Sequence, residues 1–201
     1  MFTSLLLSQL AFAAPKDYSV SISDSLLYVK VFKEETLASG LAHNHAIQAT
    51  NWTGAVKWDK ENVADCKLSF SVPVKDLAVD KPAIRKKAGL VSEVSESQRE
   101  EIFGNMTVKK QLGMASYPTI SFESTTCVEF GYQALVLGNF TMHGVTQSVQ
   151  ITVDVDLADG FKMSGTLPLK ASDYGIKPFS ALGGAVANKD AMEIKFNIVG
   201  K

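Results

Sequence analysis

Gly138 to Leu157 reads GNFTMHGVTQSVQITVDVDL. After the tight Met142-His143-Gly144 bend, apolar residues fall at Val145, Val149, Ile151, Val153, Val155 and Leu157. Polar Thr146, Ser148, Gln150, Thr152 and Asp154 stand between them. A period of two sustained that long marks a β-strand, because successive side chains point to opposite faces of a sheet. The stretch predicts a long antiparallel strand, wet on one side and apolar on the other. Function is then expected on, or inside, a sheet.

The same pattern recurs on both sides of this stretch. Tyr18, Val20 and Ile22 alternate, as do Leu27, Val29 and Val31, and two further strand-like runs cover 42–50 and 52–58. Gly54 interrupts the second run and predicts a bulge or a close approach of another group. Leu68, Phe70, Val72 and Val74 form a clean apolar face, which Ile120 and Phe122 continue after Pro118. Phe161, Met163, Gly165, Leu167 and Leu169 make another face, and Met192, Ile194, Phe196 and Ile198 close the chain. Eight or more amphipathic strands joined by short turns predict an all-β barrel or sandwich. Residues 92–112 break the period and predict a short helical insertion, capped by Ser92 with Glu96 or by Ser95 with Gln98 and running to Phe103. Asn105 is a candidate N-cap for a further turn or two before Gly113. The stretch 181–189, with Gly183 and Gly184, reads as a flexible loop.

Composition sets the outer limits. The 201 residues are 46% hydrophobic and 20% charged, with a net charge of −1, which suits a single domain with a sizeable core. The scattered Lys and Arg leave no electrostatic footprint for nucleic acid. The densest basic run, Lys81 to Lys87 with Arg85, reads as solvated surface, like the acidic stretch Glu93 to Glu101 beside it. The opening MFTSLLLSQLAFAA reads as a signal peptide cleaved near Ala13-Ala14, since a short apolar run ends in the small-x-small Ala11-Phe12-Ala13. It is too short to span a bilayer. The folded domain is then expected over 15–201, outside the cytoplasm.

Export bears on Cys66 and Cys127. Cys66 opens the pattern CKLSFSV and Cys127 closes TISFESTTC; if those strands pair antiparallel, an oxidising compartment lets the two thiols bond. Two separate buried thiols are the alternative. Neither cysteine has another at the x₂ spacing of a zinc site.

Chemistry-bearing motifs are sparse. On a strand, His43 and His45 point to one face and form a candidate half-site for zinc or copper, with hydrogen-bonded structural histidines as the alternative. His143 lies in a turn. There is no Gly-x-Ser-x-Gly elbow and no phosphate-binding glycine loop. Asp173 in Ser172-Asp173-Tyr174-Gly175 is a candidate partner of His45 or His143, but reads more simply as turn chemistry. The chain does not read as an enzyme. What remains is the apolar interior: Leu68, Phe70, Ile120, Phe122, Val136, Phe140, Val149, Ile151, Phe161, Met163, Ile194 and Phe196. An eight-stranded barrel either packs such residues solid or encloses one slender ligand. The pattern alone leaves both open.

Four motifs, in order, resemble one family. Gly138-Asn139-Phe140-Thr141-Met142-His143-Gly144-Val145-Thr146 is similar to its signature G-D-L-T-x-H-G-V-T. Tyr117-Pro118-Thr119-Ile120-Ser121-Phe122 resembles its YPTIxF element, His45 with Gly54 its H-x-F…G element, and Ser172-Asp173-Tyr174-Gly175 its S-D-F-G. These are motifs of the YceI-like group of polyisoprenoid-binding proteins, lipocalin-like barrels usually exported to the periplasm. The resemblance implies an extended eight-stranded antiparallel barrel whose apolar lumen takes a polyisoprenoid, a quinone-type lipid or another amphiphile. His45, Tyr174 or His143 would meet its polar end. It implies no cofactor, no catalysis and no stable membrane insertion; an exposed edge or rim offers a surface for a homodimer. The chain departs from the family at Ala171, where an Arg is common, and at Ile47, where an aromatic is common. Two other readings compete: a metal-binding or redox accessory protein using His43, His45 and the cysteines, and a solid barrel that only docks a protein partner.

Overall fold

Alternation along the chain becomes a sheet that curls onto itself. The computed structural model describes residues 15–36 and 42–201. The predicted signal peptide therefore lies outside the described residues. Twelve strands appear among them: β1 (Lys16–Ser19), β2 (Leu26–Lys33), β3 (His45–Ala49), β4 (Thr53–Trp58), β5 (Lys67–Pro73), β6 (Leu77–Val79), β7 (Thr119–Phe130), β8 (Gln133–Met142), β9 (Val145–Asp156), β10 (Phe161–Lys170), β11 (Ser180–Ala181) and β12 (Val186–Gly200). Every pairing is antiparallel, in the order β1-β4-β5-β7-β8-β9-β10-β12-β2-β3-β6, with β11 on β12.

That order hides a ring of eight staves. β3 and β4 are one strand bent at residues 50–52, and β5 and β6 are one strand bent by the 3₁₀ turn Val74–Asp76. The bent pair forms a hairpin, β4 on β5 and β3 on β6, and Thr50 N donates to Asp76 O at 3.0 Å across the bends. The hairpin joins β7 through β5 and β2 through β3, so the barrel closes. The stave count predicted from the sequence holds once the bends are recognised.

The two ends of the barrel differ. At one end Phe161 is fully buried beneath Tyr18 and Trp58, with ring centroids at 5.1 and 5.8 Å. Cys66 and Cys127, both buried, form a disulfide near that end, with Cα atoms 6.0 Å apart. Closing a loop of 61 residues contributes about 4 kcal/mol in the chain-entropy model. Toward the other end β9 parts from β10, their pairing stopping at Gly165–Val153. Pro168, which has no N–H to give, sits beyond that parting.

Helices cover what the sheet leaves open. α1 (Pro82–Lys87) packs Ile84 against Tyr28 and Ala46 on the outside of β2 and β3. α2 (Glu96–Thr107) begins at Ser95, whose hydroxyl accepts from Gln98 N while the Gln98 side chain returns to Ser95 N. Of the two predicted caps, Ser95 with Gln98 is the one formed. Three expectations need correction. Asn105 lies inside α2, which runs unbroken past it to Thr107. In the basic run 81–87 the lysines are exposed as expected, but Pro82–Lys87 is a helix and Arg85 is 4% exposed because a buried carboxylate, Asp80, holds it. Residues 181–189 include part of β11, a short 3₁₀ turn and the start of β12, because Ser180 and Ala181 pair with Ala187 and Val186.

Candidate functional site: the barrel lumen

The barrel is hollow. A cavity of about 620 Å³ runs inside it, walled chiefly by apolar side chains. Eleven of the predicted ligand residues line it: Leu68, Phe70, Ile120, Phe122, Val136, Phe140, Ile151, Met163, Ile194, Phe196 and His45. Three do not. Val149 is half-buried against the core without reaching the cavity, and Phe161 belongs to the aromatic plug below it. Tyr174 sits in a 3₁₀ turn (Ala171–Tyr174) with its ring edge-on to Phe140 at 5.6 Å, fully buried behind the wall. Sequence reading put Val29 and Leu167 on apolar faces without assigning them to the ligand, and missed Leu77 and Met142; all four line the cavity.

Three phenylalanines explain how the centre stays open. A Cβ on Gly54 would stand 2.7 Å from the Phe70 ring, one on Gly138 2.5 Å from Phe122, and one on Gly165 2.7 Å from Phe196. Each ring lies over backbone that carries no side chain, flat against the wall instead of across the lumen. The close approach predicted at Gly54 is this contact.

The mouth is built by α2 and the segment around β11. Gln98, Glu101, Ile102, Asn105 and Met106 of α2 line the cavity, as do Phe179 and Leu182. Leu182 is an exposed apolar side chain at this rim. His143 fastens the neighbouring turns together. Its Nδ1 is 3.1 Å from Tyr174 O and its Nε2 3.2 Å from Lys109 O, with the Tyr117 ring 4.8 Å away. Both carbonyls only accept, so a neutral ring satisfies one and a protonated ring both. His143 is thus a structural tie beside the mouth, and it does not line the cavity.

One polar feature of the lumen is at His45. Its Nδ1 stands 2.6 Å from Oδ2 of Asp80, which has no exposed surface. Asp80 Oδ1 accepts from Arg85 Nη1 at 2.7 Å and Ala46 N at 2.9 Å. Arg85 in turn donates to Asn44 O, Ser92 O and Ser92 Oγ. Burial pushes the Asp80 carboxyl up, but the bonds from His45, Ala46 and Arg85 more than offset that and hold it below its ordinary value. Asp80 adopts φ 47°, a left-handed conformation that Asp tolerates better than most residues. The sequence offered one clue to it, the turn-like Asp80-Lys81-Pro82.

The predicted metal or redox reading does not assemble. Cys66 precedes Lys67, which pairs with Lys57 at the far end of the bent β3/β4 stave that His45 begins. The cysteines are bonded to each other, and the His45 Nδ1 is committed to Asp80. No group of three or more His, Cys, Asp or Glu side chains converges among the described residues.

A model of the YceI-like domain matches residues 31–200. The chain belongs to the YceI-like family. Solved structures share the YceI fold at low identity. BcnA of Burkholderia cenocepacia superposes with a TM-score of 0.68 at 17% identity, over 91% of this chain and 100% of that one. A polyisoprenoid binding domain from Saccharophagus degradans gives 0.55 at 11% identity, over 92% and 97%. A YceI protein of Campylobacter jejuni gives 0.53 at 11%, over 77% and 84%. No curated protein matches the chain. At these identities the structural neighbours share the antiparallel barrel, and the YceI-like family is one of binding proteins.

Proposed function

We propose that this YceI-like protein binds the tail of a polyisoprenoid, quinone-type or other amphiphilic lipid inside its lumen, and carries or stores it outside the cytoplasm. The hollow apolar cavity of about 620 Å³ carries this reading. Its size falls within the range of ligand pockets, and each CH₂ withdrawn from water there contributes about 0.8 kcal/mol. Tail binding thus needs few polar contacts. The Saccharophagus degradans neighbour, described as a polyisoprenoid binding domain, supports the same ligand class. The protein acts by sheathing and does no chemistry on its cargo. Export rests on the reading of residues 1–14 as a signal peptide, and the disulfide suits an oxidising compartment.

Organic extraction of freshly purified native protein, followed by mass spectrometry, tests the proposal. A co-purifying amphiphile in roughly stoichiometric amount is expected. A clean extract, together with no uptake of added quinones or isoprenoids, contradicts it.

A further inference from the structure

Tail binding by itself gives no reason to bury an Asp–Arg pair behind one wall of the lumen. Burying charges is expensive, and such a pair is poor evidence of stability on its own. What the pair does here is hold one imidazole. His45 faces the cavity in a row with Val31 of β2 and Met192 of β12. Asp80, fixed by Arg85, accepts from Nδ1, so Nδ1 carries the hydrogen and the neutral ring turns a bare Nε2 away from Asp80. No protein group bonds that nitrogen among the described residues. A basic nitrogen at an apolar cavity calls for an acidic O–H. His43 and Lys189 line the same cavity and make no ion pair among the described residues. Glu101 of α2 is the carboxylate that joins them there, with Gln98 and Asn105 as neutral neighbours.

We propose that His45 anchors the carboxyl head of an amphiphilic acid, accepting its proton at Nε2 and holding the resulting carboxylate as an ion pair, with Lys189 as the second cation. The proton leaves the ligand oxygen and joins Nε2, and no other bond changes. When the ligand arrives already ionised, one proton is drawn from solvent instead. One imidazolium and one ammonium, beside the Glu101 carboxylate, leave one net positive charge for a single negative charge. A phosphate dianion would need more cations than this rim offers beside Glu101. The proposal rests on the tail-binding reading and names the head of the same ligand.

Oleic acid, oleyl alcohol and methyl oleate share one tail and separate the head from it. Each is titrated into delipidated protein, with intrinsic tryptophan fluorescence reporting binding. Calorimetry in two buffers of different ionisation enthalpy counts protons at pH 8. The acid is expected to bind about tenfold or more tighter than the ester, taking up close to one proton. His45→Ala should bring the acid to the level of the ester in the same variant and abolish the proton uptake. Asp80→Asn, checked for folding by circular dichroism, should diminish the uptake while a tail still binds. Should that variant not fold, the His45 comparison decides alone. Equal affinity for acid and ester, or an acid preference that survives His45→Ala, overturns the head assignment and leaves tail binding standing. If none of the three binds the native protein, tail binding falls and the head assignment with it.

Discussion

Burying a tyrosine hydroxyl without a partner is costly, and Tyr174 does so. Its ring is 1% exposed and its oxygen has no hydrogen-bond partner among the described residues. Burial, with the nearby Asp173, pushes the phenol up to about 12, so it stays neutral across any working pH. The cavity does not reach it, which leaves the hydroxyl no ligand to serve. Tyr174→Phe is therefore expected to be neutral or to stabilise by about 1 kcal/mol, read from the urea midpoint. Asp80 is the opposite case, a polar group with every partner in place. Its folded value lies below the unfolded one, so its contribution is present in full above the unfolded value near 3.8 and is lost as pH falls through the folded value. Asp80→Asn should cost about 3 kcal/mol at neutral pH. Urea midpoints measured from pH 7 downward should then fall less steeply below pH 4 in the variant than in the native protein. Neither behaviour was legible in the sequence. Two of the partners of Asp80, His45 and Ala46, are 35 and 34 positions away, and Tyr174 differs from an ordinary turn residue only by what packs over it.

The strands themselves were legible, because alternation reports directly which side chains turn inward. Ser95 and Gln98 announced the start of α2 in the same local way. α1 was hidden by its lysines, although Pro82 at its first position is a helix-start signal. What alternation cannot express is how side chains on neighbouring strands share space. The pairing of Gly165 with Phe196 becomes visible only when β10 and β12 are set in register. Gly165→Ala should drive the Phe196 ring off the wall and into the lumen, since the new Cβ would meet the ring tip at 2.7 Å. The expected result is a loss of about tenfold in lipid affinity, measured by fluorescence titration, with the unfolding midpoint lowered by the equivalent of about 1–3 kcal/mol from the overpacking. Unaltered affinity would mean that this ring does not border the occupied space.

The barrel as a whole was predicted in class and stave count, and its bends and depth were not. Phe161 and Met163 share a strand and a face, yet one plugs the closed end and the other lines the cavity. Periodicity assigns a face; only the closed ring assigns a depth along it. That depth makes a hollow that α2 and the segment around β11 border at the mouth. If an oily chain lies there, affinity must grow with every carbon that enters and stop growing when the hollow is full. The decisive measurement is a titration of delipidated protein with a homologous series of amphiphiles of one head and increasing tail length. The account predicts a gain of about fourfold per buried CH₂, near 0.8 kcal/mol each, followed by a plateau. Affinities independent of tail length would contradict it.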